Sequence, residues 1–553
     1  MIQTERKAAA LLCLFITLLS VSCTKDFEKI NTNRYESTLE QQLPDDFVTG
    51  RNFPGMINAV LPAGDVPGAT NFVNSYQVAF NLAADCYSGF MGQAGDWSGN
   101  NNNLTYGFIG SWINEQFLLT GNLMSAWTKL RDITKVSGDS LNFSVAQIIK
   151  VTGIIRATDS YGPIPYSAIP TGTATPAFDS QESIYNAAFA DLVNARNLLH
   201  NLGGTNISKS FGIYDLIYAG DYKKWAKYAN SLILRLAIRI VYADPGKAKQ
   251  YAEEAVNHPA GMISTPDESA LQSIKTGNGA FYFTNPLRTL TGAEGGGYKE
   301  ARAGASMQSI LSGYKDPRLN AYFKNSTITG RTTEVVGVRT GIAVDRALYQ
   351  PFSELNVTNT TPMPWMRASE VYFLKAEGAL RGWNMGGAVK DLYETGIRTS
   401  FSETGTAMPA GYLTDAVSKP VNYTDYAKNQ YNITARETST IQWNDADNFE
   451  TKLNKLMVQK WIALYLNGPE AWAEFRRTGY PKIFPVAVNN NSGTVNTAAQ
   501  IRRLPYPIAQ YNQNADQVMK GTTLLIGEAF KAAGAKGDNG GTRVWWDKNP
   551  LTP

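Results

Sequence analysis

Aromatic and amide side chains that suit carbohydrate recognition are concentrated in residues 97–112, where the sequence reads WSGNNNNLTYGFIGSW. Sugar rings bind to flat aromatic faces through their apolar C–H side, and planar amides pair with their hydroxyl groups. We therefore predict that Trp97, Tyr106 and Trp112 stack on a ligand and that Asn101 binds hydroxyls. The alternative is an ordinary surface loop whose aromatic side chains fold back onto the protein.

A second candidate segment is the glycine-rich run at residues 292–302, GAEGGGYKEAR. Because glycine permits many backbone conformations, we expect this run to let Tyr298 and Arg302 close on a ligand. It differs from a phosphate-binding loop, since it lacks the Gly-Lys-Ser/Thr ending and no strand is predicted before it. We therefore expect no nucleotide here.

Catalytic and metal chemistry are restricted by the small number of histidines and cysteines. Two histidines, His200 and His258, and the single thiol of Cys86 cannot build a Cys/His zinc site, and they disfavour a Ser/His/Asp hydrolase. The 47 acidic residues leave a hydrolase with two opposed carboxylates open. A net charge of +4 argues against nucleic-acid binding. We predict no catalytic residue, no metal and no cofactor.

The N-terminal residues indicate export and lipidation. A short basic region precedes the apolar run AAALLCLFITLLSVS at residues 8–22, which is typical of a secretion signal and too short to span a membrane. The residues before Cys23 are similar to a lipobox, so we predict a signal peptide at 1–22 and lipidation at Cys23. An ordinary secretion signal is the alternative. Residues 23–50 are predicted to be an extended tether.

Amphipathic helices must position the candidate segments. Apolar residues recur at helical spacing in residues 221–243 and 369–383, and each run is followed by a second predicted helix, at 247–256 and 388–401. Further helices are predicted at 181–199 and 449–466. These helix pairs resemble tetratricopeptide repeats. The Gly-, Asn- and Pro-rich stretches at 97–111, 285–305, 402–448 and 485–549 are predicted to be loops that carry the binding surface.

Several segments together resemble one family, the SusD/RagB nutrient-binding outer-membrane lipoproteins, in its SusD-like branch. They occur in family order at residues 26–35 (DFEKINTNRY), 159–167 (DSYGPIPYS), 176–192, 217–239, 316–323 (DPRLNAYF), 363–383, 459–481 and 502–507 (RRLPYP).

The resemblance implies a fold, a function and a partner. The expected fold is all-α, a right-handed array of tetratricopeptide-like helix pairs that supports a loop-rich region with at most minor β-hairpins, in one domain at 51–553. The expected function is to capture an oligosaccharide at the cell surface and to deliver it to a SusC-like TonB-dependent transporter, with a lipid anchor in the outer membrane. A carboxylate-based glycoside hydrolase and a peptide-binding or scaffold lipoprotein are the alternatives.

Overall fold

Most of the ordered structure is α-helical. The computed structural model describes residues 46–64, 71–203, 209–275, 283–292, 297–529 and 537–552. In chain order the α-helices are α1 (Phe47–Gly50), α2 (Phe53–Val60), α3 (Asn71–Tyr76), α4 (Gly110–Ser137), α5 (Ser140–Tyr161), α6 (Gln181–Gly203), α7 (Lys209–Gly212), α8 (Tyr222–Arg239), α9 (Pro245–Asn257), α10 (Pro286–Thr291), α11 (Ala305–Gly313), α12 (Arg318–Tyr322), α13 (Arg346–Tyr349), α14 (Ala368–Leu380), α15 (Val389–Glu403), α16 (Phe449–Ala463), α17 (Gly468–Thr478) and α18 (Ile508–Glu528). A π-helix, Gln77–Asp85, follows α3 and is kinked at Leu82 and Ala83, where the backbone angles are not helical.

The strands are short and pair in two-stranded antiparallel ribbons. They are β1 (Met91–Gln93), β2 (Ile164–Pro165), β3 (Phe178–Asp179), β4 (Ala270–Gln272), β5 (Ala301–Ala303) and β6 (Met363–Met366). β1 pairs with β5, β2 with β3, and β4 with β6. Within the described residues, β-structure is therefore limited to these small ribbons and three isolated bridges, and the all-α prediction is confirmed.

Neighbouring helices pack side by side in an array within the compact unit Thr49–Pro553. α4 packs on α5, α5 on α6, and α6 on α8; α8 also contacts α14, which contacts α15 and α16. Small residues allow this close approach. A Cβ added to Gly396 on α15 would lie 2.9 Å from the Phe373 ring on α14. The predicted tetratricopeptide-like helix pairing is confirmed.

The pair formed by α8 and α9 shows why local sequence predicted these helices well. The Asp221 side chain accepts a hydrogen bond from the Lys224 backbone N–H at 3.0 Å and caps α8. Asp244 caps α9 in the same way, and Pro245 occupies its first turn, where its missing N–H leaves no bond unmade. The predicted helices at 221–243 and 247–256 therefore match α8 and α9 within a few residues.

Stretches predicted to be loop or extended tether contain regular structure, and one of them, residues 285–305, holds α10 and β5. Residues 485–549 were predicted to be loop, but Ile508–Glu528 forms α18, because Val518 and Leu525 are buried and Gly521 lies against the Phe178 ring. At the predicted tether's end, Phe47–Gly50 forms α1, whose Gly50 lies against the Tyr214 ring. The signal peptide, Cys23 and the rest of the tether lie outside the described residues, and the boundaries of the predicted domain remain a prediction.

Buried ion pairs join the helices of the array. Arg235 on α8 makes a bidentate pair with Glu370 on α14, at 2.6 and 2.7 Å. Arg477 on α17 pairs in the same way with Glu377 on α14, with both distances 2.6 Å. Such forked bonds fix the orientation of both partners. These arginines therefore hold neighbouring helices together.

Among the described residues, no helix has the length and apolarity needed to cross a membrane.

Candidate functional site

The loop after β1 has a tightly turned backbone. Ser98, Gly99 and Asn100 all have positive φ, at 53°, 60° and 67°. The next residues form a capped turn in which the Asn102 side chain accepts a hydrogen bond from the Leu104 N–H at 3.0 Å and donates one to the Trp97 carbonyl at 3.1 Å. Asparagine favours such turns because its amide bonds the nearby backbone. The predicted Asn-rich loop is therefore a folded element.

Distant segments hold this loop in place. The Asn100 side chain bonds both backbone groups of Val344, accepting from its N–H at 2.8 Å and donating to its carbonyl at 3.1 Å. From another side, the Asn490 amide donates to the Asn100 carbonyl at 3.1 Å and to the Thr105 hydroxyl at 3.0 Å. These contacts support the loop. Asn100 and Asn102 use their side chains for this support, whereas Asn101 is exposed.

Trp97 and Trp112 form an aromatic ledge at the edge of this loop. Their ring centroids are 5.7 Å apart and the planes cross at 83°, an edge-to-face arrangement that aromatic rings favour. Trp97 packs over Gly95, where a Cβ would lie 2.5 Å from the indole. Both indoles are half-buried. The ledge is therefore supported from within and still reaches the surface.

The end of the glycine-rich segment is connected to the loop through the β1–β5 ribbon. Gln93 pairs with Ala301 in the ribbon, and the Ala94 N–H donates to the Glu300 carbonyl at 2.8 Å. Residues after β1 and residues before β5 thus leave the ribbon at one end. Trp97 follows one strand at this end of the ribbon, and Tyr298 precedes the other. Residues 293–296 of the glycine-rich run lie outside the described residues.

Val344 and Arg346, which lie just before and at the start of α13, contact the two segments. The Arg346 guanidinium donates to the Glu300 carboxylate at 3.1 Å and to the Tyr298 carbonyl at 2.9 Å, while nearby Val344 holds Asn100. Burial raises the pKa of Glu300, although Gln77 and Arg346 both bond it. Arg346 itself is exposed. The surface therefore offers aromatic rings, an exposed amide and a guanidinium.

Two predicted ligand contacts lie beneath this surface. Tyr106 is 1% exposed and packs beside Tyr87. Arg302 is also 1% exposed and donates to the carbonyls of Thr291, Ala301 and Gln350. The reason is that the β1–β5 ribbon turns Arg302 inward, toward carbonyls that need donors. In this geometry both side chains support the site and are shielded from a ligand.

Comparison with known families identifies the chain's class. The family model described as SusD-like, the SusD and RagB outer membrane lipoproteins, matches residues 29–547. The chain belongs to this SusD/RagB family. A comparison with curated protein sequences gives no match.

Solved structures agree with this assignment. A chitin-binding SusD homologue from Flavobacterium johnsoniae is 35% identical with a TM-score of 0.82, over 91% of this chain and 99% of that one. SusD homologues from Bacteroides vulgatus and Bacteroides thetaiotaomicron are each 33% identical, with TM-scores of 0.82 and 0.80 and the same coverages. The SusD-like protein described here therefore shares its fold with proteins of the outer membrane lipoprotein class.

Sequence reasoning did not select Arg346, which in this SusD-like protein bonds Glu300 and the Tyr298 carbonyl. It lies in the unremarkable stretch VDRALYQ, far from either aromatic segment. A weak signal was present, since Asp345 precedes it and caps the short helix α13. That signal predicts a helix start, whereas the proximity of Arg346 to Tyr298 depends on how the loops pack.

Proposed function

We propose that this SusD-like protein is a non-catalytic cell-surface receptor that captures an oligosaccharide and delivers it to a SusC-like TonB-dependent transporter. The observation that carries the proposal is the Trp97–Trp112 ledge on a loop whose Asn100 is held by Val344, two residues before the Arg346 that bonds the Tyr298 carbonyl, in a SusD/RagB chain. Edge-to-face indoles held by a folded loop are a rigid stacking platform. A rigid platform loses little entropy when a sugar binds.

Each group of the proposed site has a role that its chemistry suits. Trp97 and Trp112 stack on the apolar faces of sugar rings, and Tyr298 contacts a neighbouring ring. Asn101 and Arg346 pair with hydroxyl or acetamido oxygens. Tyr106 and Arg302 hold the loop and ribbon from beneath. Since Arg346 is balanced by Glu300, the arrangement favours an uncharged glycan over an acidic one.

Titration calorimetry with chitin oligosaccharides, starch fragments and an acidic glycan tests the binding claim. Chitin fragments come first because the 35%-identical homologue is described as chitin-binding. Trp97→Ala removes half of the ledge, and a central aromatic contact contributes about 2 kcal/mol or more, so we expect at least a 10-fold weaker Kd. Tyr426→Ala removes an exposed aromatic of another loop and serves as the matched control.

Two results would count against the proposal. Unchanged affinity after combined replacement of Trp97, Trp112 and Tyr298 by alanine would overturn the site assignment. Release of shorter sugars from a labelled glycan by the purified protein would overturn the non-catalytic claim.

The anchor and the partner are tested separately in cells. Cys23→Ser removes the acylated sulfur, so we expect the protein to leave the outer-membrane fraction, because stable anchoring depends on the lipid chains. Surface labelling of intact cells shows whether the protein is on the outer face of the outer membrane. Co-purification with the full-length chain shows whether the SusC-like transporter binds it. Retention of Cys23→Ser in the outer-membrane fraction would contradict the lipid anchor at this residue.

A further inference from the structure

A small polar cavity lies inside the helical array, where α5, α8 and α17 meet. Its volume is about 20 Å³, and roughly 10–15 Å³ is enough for one water-sized sphere. Among the described residues, the charged groups lining it are Arg156, Arg235, Arg476, Asp159 and Glu470. Three guanidinium groups therefore face two carboxylates.

Two of these arginines lack a carboxylate partner among the described residues. Arg156 is 9% exposed; its Nη1 donates to the Val60 carbonyl at 3.1 Å, and its Nη2 has no hydrogen-bond partner in the described part of the chain. Arg476 is fully buried and donates from Nη1 to the carbonyls of Asp159 and Arg502, at 2.6 and 2.8 Å. Carbonyl oxygens satisfy N–H groups but do not neutralise the charge.

The carboxylates of the cavity are already committed to a further cation. Arg239 donates to Glu470 Oε1 at 2.5 Å and to Asp159 Oδ2 at 3.3 Å. Asp159 Oδ1 also accepts from the Trp546 indole at 2.7 Å. Arg239 Nε also lies 3.3 Å from Glu474, and Arg235 is paired with Glu370. The carboxylates of this cluster therefore bond Arg235 and Arg239, and they leave Arg156 and Arg476 without a carboxylate in the described part of the chain.

Both arginines that lack a carboxylate keep their charge at neutral pH. Burial lowers the pKa of Arg156 to about 10 and that of Arg476 to about 9, which still leaves each group protonated at pH 7. A buried charge without a counter-charge is costly because the low-dielectric interior solvates it poorly. A water molecule would satisfy Arg156 Nη2 and leave that charge in place.

We propose that the cavity binds a halide ion, chloride under ordinary conditions, which accepts a hydrogen bond from Arg156 Nη2 and places a negative charge beside this arginine at the junction of α5, α8 and α17. A monovalent, monoatomic anion is compact and supplies the counter-charge that Arg156 lacks among the described residues. Larger anions such as sulfate or phosphate exceed the volume. The ion is structural, and it lies apart from the proposed glycan surface.

Bromide provides a direct probe, because its anomalous scattering distinguishes it from water. Crystals of the full mature chain grown in sodium bromide should show an anomalous peak within hydrogen-bonding distance of Arg156 Nη2. Density there without anomalous signal identifies water and overturns the proposal, and so does an empty cavity. This experiment uses the unmodified protein.

Thermal unfolding at constant ionic strength tests the same site in solution. Replacing sodium gluconate by sodium chloride or bromide should raise Tm by about 2 °C at a halide concentration 100-fold above its Kd. Arg156→Gln should abolish the response, whereas Arg131→Gln, on a partly exposed arginine of α4, should keep it. An equal halide response in both variants would refute the assignment. If Arg156→Gln does not fold, the bromide experiment decides.

Discussion

Asp85, at the end of the π-helix, is predicted to lower the stability of the folded protein when its carboxylate is ionised. The residue is fully buried, its Oδ2 accepts a hydrogen bond from the Tyr76 hydroxyl at 2.8 Å, and its Oδ1 lies against Gly468. Burial raises its pKa from 3.8 to about 7. Asp85→Asn keeps the shape and removes the charge. The neutral amide can direct its oxygen toward Gly468 and its NH₂ toward the Tyr76 hydroxyl, which also accepts.

The sign of the pH dependence follows from the raised pKa. Below about pH 4, the carboxyl is protonated in the folded and the unfolded chain, and it imposes no penalty. As pH rises from about 4 to about 7, the unfolded chain loses its proton first, so the folded state is progressively destabilised. Above pH 7 the penalty is complete. A rise from 3.8 to about 7 corresponds to on the order of 4 kcal/mol, at about 1.4 kcal/mol for each pKa unit.

Melting temperature measured from pH 4.5 to pH 8.5 tests this reasoning. A unit of the size of Thr49–Pro553 has an unfolding entropy of about 1 kcal/mol per kelvin, so we expect Asp85→Asn to melt about 4 °C higher than the wild type at pH 8. The difference should shrink toward zero near pH 4.5. Asp516→Asn, on the exposed side of α18, is the matched control and should show a small difference at every pH.

A difference between Asp85→Asn and wild type that stays constant with pH would refute the reasoning, because a packing effect alone has no proton linkage. A lower Tm for the variant at pH 8 would also refute it. That result would mean that the ionised carboxylate stabilises the amino end of α17 by more than its burial costs.

Two further substitutions test whether glycan affinity and the stability of the helical array can be changed independently. A Cβ on Gly107 would lie 1.7 Å from Asn101 Oδ1, so Gly107→Ala should displace that amide and weaken glycan affinity in calorimetry while Tm stays unchanged. Glu377→Gln leaves the buried Arg477 with one carboxylate fewer, so it should lower the free energy of unfolding by about 3 kcal/mol in urea titration and leave glycan affinity unchanged.

Matched controls exist for both substitutions. A Cβ on Gly493 meets no atom within 4 Å, so Gly493→Ala should leave affinity unchanged. Glu182 is exposed, so Glu182→Gln should change the free energy of unfolding by less than about 0.5 kcal/mol. A fall in Tm for Gly107→Ala, or a neutral Glu377→Gln, would contradict the roles given to those residues.

Local patterns predicted the helices of the array because their signals lie within a few residues of each other. The apolar stripe that includes Trp225 and Tyr228 and the caps at Asp221 and Asp244 specify α8 and α9 without reference to the rest of the chain. α18 was missed because its apolar residues are few and widely spaced among polar ones. Its helical face is completed by Phe178, a residue distant in sequence.

The candidate site depended on contacts that no local pattern reveals. Both aromatic segments were found from composition, and the sequence alone left open whether their rings face a ligand or the core. Tyr106 and Arg302 are buried, although the same composition argument had selected them with Trp97 and Tyr298. Arg346 was not selected, because nothing in its own neighbourhood indicates a binding surface.

The amino-acid sequence was enough for the SusD/RagB resemblance, for the export and lipidation prediction at Cys23, and for the helix pairs. Each depends on the order and spacing of nearby residues. The contacts that bring the asparagine-rich loop and residues 298–300 to one end of the β1–β5 ribbon depend on the tertiary structure. The deciding contacts, from Asn100 to Val344 and from Ala94 to Glu300, join residues more than 200 positions apart. Such contacts form only when the whole helical array brings the loops together.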